Sequence, residues 1–263
     1  MAPEKASAQE VFASWRGFVC HRGYHDLKHP ENSLTAFEAA ISRGYAFETD
    51  VHLSKDGALL LSHDSSLLRL TGKEGIIEEL TLEEIEDHYR LPDGSALPTL
   101  GELFSLWGEK CPMVLELKPY GGDELSLAKA VSLFLGEHLK DASKLVLISF
   151  SEKALAPFLG GRINLGLLIG EKEDAFYFHR HSHDIKPWDF LDVYVGLLPL
   201  PMFQSYRKKG KPILSWTIRD ERDFKKAKRY SDSLTLEEVD SSKPKEEREE
   251  DPFLHDFLLS PKA

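Results

Sequence analysis

Cysteine is almost absent: Cys20 and Cys111 are the only two in 263 residues, and neither sits in a metal-type pair spacing. That excludes a disulfide framework or a zinc–thiolate site, and both read as small core residues. No run approaches the roughly 18 consecutive apolar residues a membrane-spanning helix needs, so no transmembrane segment is expected. The first ten residues carry Pro3, Glu4, Lys5 and Glu10 with no apolar stretch behind them. That is not the layout of a secretory signal, and it sets a cytoplasmic location as the expectation. Positive charge is also in deficit, with 33 Lys+Arg against 44 Asp+Glu and a net charge of −11. Without surplus cations there is little to displace phosphate counterions, so nucleic acid is not an expected partner. An anionic substrate would need local positive charge, from a metal or from a few placed basic residues.

What the chain does have is ordinary globular composition, 41% hydrophobic and 29% charged, and length enough for a substantial core. Short apolar, β-rich runs at 17–22, 46–53, 113–117, 145–150, 163–169, 191–198, 213–218 and 233–237 alternate with helical patterns. At 32–43, Leu34, Phe37 and Ile41 share a face, Asn32 or Ser33 can cap the start and Gly44 can end it. At 124–139, Leu127, Val131, Phe134 and Leu135 form a second stripe. Eight such units in about 250 residues suit an α/β fold of the closed (β/α)8 TIM barrel type, with catalytic groups at the carboxyl ends of the strands. An open doubly wound sheet is disfavoured because no glycine fingerprint follows the first strand. The alternation breaks only at 53–98, which reads as an insertion on the barrel mouth, a hairpin plus a short helix with Thr81 and Glu84 as a capping box. The whole chain, 1–263, is expected to be a single domain, with the charge run at 241–252 a solvated or disordered segment.

The first strand ends in His21-Arg22-Gly23, and the second carries Glu48-Thr49-Asp50. Alternation along a strand puts Glu48 and Asp50 on one side. Two like charges about 4 Å apart repel by roughly 4 kcal/mol at an effective dielectric near 20, so something must compensate them. Asp56-Gly57 signals a hairpin; with those two as its central residues, Asp50 falls opposite His63. In the third barrel strand Glu116 interrupts an apolar run. Glu48, Asp50 and Glu116 together make a hard-oxygen site for one divalent cation, Mg²⁺ or Ca²⁺. His21 and His63 then stand as acid and base, and Arg22 and Lys118 as positive charge for a phosphate.

The ordered set His21-Arg22-Gly23, Pro30-Glu31-Asn32, Glu48-Thr49-Asp50-Val51, Lys55-Asp56-Gly57, His63-Asp64, Leu97-Pro98-Thr99-Leu100, Glu116-Leu117-Lys118 and Trp216-Thr217 resembles the glycerophosphodiester phosphodiesterase family. The resemblance implies a phospholipase C-type barrel with an insertion after the second strand. It also implies a metal held by Glu48, Asp50 and Glu116, catalysis by His21 and His63, phosphate contacts from Arg22 and Lys118, and an alcohol pocket lined by Trp216. The implied activity is metal-dependent hydrolysis of small glycerophosphodiesters to glycerol 3-phosphate and an alcohol. Two departures stand late in the chain. After Trp216-Thr217 the family usually has an asparagine-like residue two further on, where this chain has Ile218-Arg219; and its last strand, usually close to a glycine and an aspartate, is here 233–237, ending in Glu237. Both are expected to bear on the alcohol pocket and to leave the metal and histidine pair intact.

Two rivals remain at this level. A lysophospholipase D-like activity on lysophospholipids would need an apolar groove near the insertion, for which Leu103, Phe104 and Trp107 are available although their periodicity makes them core. A barrel that binds phosphodiesters without turnover is the other, and it has no physical need of two histidines beside buried acids. Among other groups, the histidines at 178–184 resemble a metal tract but read better as a solvent-facing loop. Glu31 and Asn32 fit either a helix start or a supporting position beside the site.

Overall fold

The computed structural model describes residues 5–15, 17–170 and 187–237. The histidine tract at 178–184 and the charge run at 241–252 lie outside them. Nine strands are described: β1 (Phe18–Cys20), β2 (Ala46–Leu53), β3 (Leu59–Leu61), β4 (Met113–Leu117), β5 (Leu145–Ser149), β6 (Asn164–Ile169), β7 (Phe190–Tyr194), β8 (Ile213–Ile218) and β9 (Ser233–Leu236). All but β3 run parallel to their neighbours, and β1 pairs with both β2 and β9, which closes an eight-stranded parallel barrel. The fold is the (β/α)8 barrel that the alternation predicts.

The helix Leu34–Arg43 starts where Ser33 Oγ accepts from the Ala36 N–H at 3.1 Å and stops at Gly44, whose φ of 65° lets its N–H return to Ala40 and Ile41. The helix Glu124–His138 buries Leu127, Ala128, Val131 and Leu135 against the outside of the barrel. Strand β7 is shorter than the apolar run at 191–198 suggests. Turn bonds from Leu197 N–H to Tyr194 O and from Leu200 N–H to Leu197 O take the chain out of the sheet before Pro201 starts the next helix.

Inside the barrel, alternate residues form an apolar layer of Val19, Ala46, Val114, Val146, Ile148, Leu168, Phe190 and Leu214. Gly166 makes room for it: a Cβ there would stand 2.2 Å from the Phe190 ring. The amino end is closed by a helix the sequence reading did not anticipate, Ala8–Ser14, which adds Ala8, Val11, Phe12 and Trp15 to this layer. Its signal was legible as a capping box, Ser7 with Glu10. Phe12 meets Phe190 edge-on at 5.1 Å.

Residues between β2 and β4 carry β3, the helix Leu82–His88 with its Thr81–Glu84 capping box, and a small core of Leu60, Leu67, Leu70, Ile77, Ile85, Tyr89, Leu91 and Leu97. The hairpin register differs from the expected one. The turn holds three residues, Lys55, Asp56 and Gly57, with Gly57 at φ 90°, so Ser54 faces Ala58 and Val51 pairs with Leu61. Asp50 therefore faces Ser62 and not His63, because a three-residue turn with a left-handed last residue shifts the count by one. Leu103 and Trp107 are fully buried, and Phe104 packs against the core. All three are thus part of the packed core.

Candidate active site

Strand register assembles the acids. Asp50 on β2 is the paired partner of Glu116 on β4, Glu48 lies two residues earlier on the same face, and His21 follows directly on the Cys20–Phe47 pair. All three carboxylates are buried, and each offers an oxygen within 4.8 Å of the others. His21 Nε2 lies 3.9 Å from Glu48 Oε2. Lys118, one residue past β4, places Nζ 2.9 Å from Glu116 and 3.3 Å from Asp50. Arg22 donates its backbone N–H to Glu48 Oε2 at 2.9 Å, and its guanidinium turns to Glu31 at 2.8 Å.

Arg22 and Asn32 both sit at left-handed φ, 53° and 52°. For an arginine that conformation costs on the order of 1–3 kcal/mol and persists only where surrounding bonds over-determine it. Here they do: the Asn32 N–H is bound to Arg22 O, its Nδ2 donates to Asp50 Oδ2 at 2.9 Å, and its Oδ1 accepts from Thr49 at 2.8 Å. Asn32 thus supports the acid cluster directly, while Ser33 caps the helix.

His63 reaches the same charged group although it does not face Asp50 in the hairpin, because the chain leaves the sheet after Ser62. Its Nδ1 lies 2.6 Å from Asp64 Oδ1; Asp64 Oδ2 accepts from Arg69 Nε at 2.5 Å; and Arg69 grips both oxygens of Glu31 at 2.8 Å. Glu31 in turn holds Arg22. Neither the pairing of Asp64 with His63 nor Arg69 as the anchor behind it is marked by a spacing in the sequence. Only the closure of Leu68–Thr71 onto the loop after β1 shows the connection.

The electrostatics reflect crowding. Burial, with Asp50 and Glu116 alongside, pushes Glu48 well above the ordinary glutamate range. Burial also lifts Glu116 to about 7 against the pull of Lys118. Burial works against an ionised Asp50 too, yet Lys118, His63 and Arg22 hold it well below the usual carboxylate range. Burial draws His63 below the ordinary histidine value, opposed by Asp50. Glu48 Oε1 and Asp50 Oδ1 are buried with no aligned hydrogen-bond donor among the described residues. Three acids face one nearby ammonium, and Arg22 is shared with Glu31, so the cluster carries more acid than its own cations offset. Three hard-oxygen donors within reach of one point, two of them acids that crowding disfavours in their ionised form, are what a divalent cation fits.

Beside Glu116 and Lys118 opens a cavity of about 270 Å³, lined further by Leu117, Pro119, Ser149, Phe150 and Ser151. Phe150 stands edge-on to Trp216 at 5.7 Å, Tyr194 lies 5.6 Å from the same indole, and Trp216 Nε1 donates to Asp192 O at 3.2 Å. Trp216 thus belongs to an aromatic rim beside the charged site. Asp192 itself, unmarked by any sequence motif, is buried in the barrel, which pushes its carboxyl well above the usual range. The two departures from the family pattern meet at His21: Glu237 Oε1 lies 3.4 Å from its Nδ1, and Arg219 pairs with Glu237.

Comparison with known proteins fits this geometry. Residues 21–249 match the glycerophosphoryl diester phosphodiesterase family. The chain belongs to that family. It is accordingly a hydrolase of phosphoric diesters. A glycerophosphodiester phosphodiesterase of Caldanaerobacter subterraneus subsp. tengcongensis is 30% identical over 228 residues, 79% of this chain and 88% of the relative. The crystal structure of a glycerophosphodiester phosphodiesterase from Thermotoga maritima superposes with a TM-score of 0.69 at 31% identity, covering 83% of this chain and 93% of that one. An Oleispira antarctica phosphodiesterase, solved with its product sn-glycerol-3-phosphate, shares the fold with a TM-score of 0.73 at 24% identity, over 86% of this chain and 94% of that one. Among the described residues no helix is long and apolar enough to cross a membrane.

Proposed function

We propose that this chain hydrolyses glycerophosphodiesters to glycerol 3-phosphate and an alcohol, using one divalent cation, Mg²⁺ or Ca²⁺, and a His21–His63 acid–base pair. The observation that carries the reading is the buried Glu48–Asp50–Glu116 cluster, with Glu48 Oε1 lacking a hydrogen-bond donor among the described residues, beside His21 and electrostatically coupled to His63. When bound to these three carboxylates, the cation supplies positive charge against a phosphate oxygen. Arg22 and Lys118 add the charge that orients the phosphate. One imidazole takes the proton of the attacking oxygen, and the other delivers a proton to the departing alcohol oxygen. The cavity past Glu116 and the rim of Phe150, Tyr194 and Trp216 give that alcohol a place to leave into. Support for the substrate comes from the relatives, which are named for glycerophosphodiesters, and from the product bound in the Oleispira antarctica protein.

The test is release of glycerol 3-phosphate from glycerophosphocholine, glycerophosphoethanolamine and a lysophospholipid, with and without chelator. Turnover of the first two that chelator abolishes and a divalent cation restores is expected, as is its loss in His21→Ala and His63→Ala. Binding without turnover would overturn the reading. Preference for the lysophospholipid is not expected, because Leu103 and Trp107 are buried in the core.

A further inference from the structure

The two late departures from the family pattern become neighbours in the fold. Cys20 pairs with Leu236, and Leu236 with Ile218, so the next residues on three adjacent strands are His21, Glu237 and Arg219. Backbone bonds from His21 N–H to Leu236 O at 2.8 Å and from Glu237 N–H to Ile218 O at 3.0 Å carry the register past the strand ends. Glu237 Oε1 lies 3.4 Å from His21 Nδ1, their side chains only 16% and 11% exposed, and Oε2 is met by Arg219. Nδ1 has no aligned partner among the described residues, and Glu237 is the carboxylate within reach of it, while Nε2 is turned to the acid cluster. The arrangement repeats the one at His63, where Asp64 meets Nδ1 and Arg69 holds Asp64.

We propose that Glu237 is a positioning residue for His21, clamped by Arg219, which keeps the proton of the neutral ring on Nδ1 and leaves Nε2 bare toward the reacting atoms. A neutral imidazole has one N–H, and the group facing one nitrogen decides what the other can do. A carboxylate on Nδ1 also fixes the ring plane. Arg219 and Glu237 are thus a matched pair, formed by the two late departures from the family pattern. Glu237 sits well below the usual carboxylate range, at about 2, because His21 and Arg219 outweigh its burial. Hydrogen bonds of this kind are often long before substrate binds and tighten in the complex.

The inference rests on the reading of His21 as an acid–base group, so the experiment separates the two. In the full chain with its cation, Glu237→Gln is expected to lower kcat about 10–100-fold with KM unchanged, and Glu237→Asp to recover most of that loss. Arg219→Ala, whose side chain is 62% exposed, should cost less than tenfold. In a His21→Ala background Glu237→Gln should cost nothing more. Spectra of ¹⁵N-labelled histidine should show the Nδ1–H form of His21 in the native chain and its loss in Glu237→Gln, with thermal unfolding checking that each variant is folded. Native kcat in Glu237→Gln beside an inactive His21→Ala would overturn the role of Glu237 alone. An undiminished effect in the His21→Ala background would also overturn it, as a structural effect. Full activity in His21→Ala would overturn both readings.

Discussion

At the amino end of the barrel the inward residues of β2, β4, β5 and β8 are Ala46, Val114, Val146 and Leu214, sealed by Phe12 and Trp15; a few residues on, β2 and β4 turn inward Glu48, Asp50 and Glu116. Both layers hang on one backbone ladder with one alternation. The lower layer gains free energy from every apolar contact it buries. The upper one spends free energy on keeping acids out of water until a partner arrives. With the proposed function, stability and turnover fall at different heights of the same strands, and variants at the two heights should fail differently.

The largest separation is expected from His63→Ala, with turnover lower by about 10²–10⁴-fold and an unchanged unfolding midpoint. Phe12→Ala should do the reverse, losing about 3–5 kcal/mol in denaturant titration while each folded molecule keeps its specific activity. A divalent cation at a hundred times its dissociation constant should raise stability by about 2.7 kcal/mol, and that gain should vanish in Asp50→Asn. Smallest is Glu48→Gln: in cation-free protein it should raise stability by about 0.5–2 kcal/mol, because it removes an acid that burial and two like neighbours already disfavour. If Glu48→Gln instead destabilised the protein as much as Phe12→Ala, the division between the layers would be broken.

The barrel was legible because parallel strands buried on both faces read as apolar runs, and the interruptions Glu48, Asp50 and Glu116 stand out against them. The site's ingredients were legible for the same reason, and by their order along the chain. Pairing across the hairpin was not, since Asp56-Gly57 serves a two- or a three-residue turn, and the difference moves Asp50 from facing His63 to facing Ser62. The helix Ala8–Ser14 is short and has only the Ser7–Glu10 capping box as a signal, and the Asp64–Arg69–Glu31–Arg22 chain joins residues 38 positions apart, Glu31 and Arg69. Arg219 and Glu237 looked like unrelated departures because their proximity comes from strand pairing and not from spacing.

Asn32 spans two consecutive residues of β2 that point to opposite sides of the strand, its Oδ1 accepting a hydrogen bond from Thr49 and its Nδ2 donating one to Asp50. Its amide therefore has a single permitted orientation. An aspartate in its place could still receive from Thr49 but would repel Asp50, adding a fourth acid to a space that already crowds three. The identity of that one side chain sets how much negative charge the mouth of the barrel can carry.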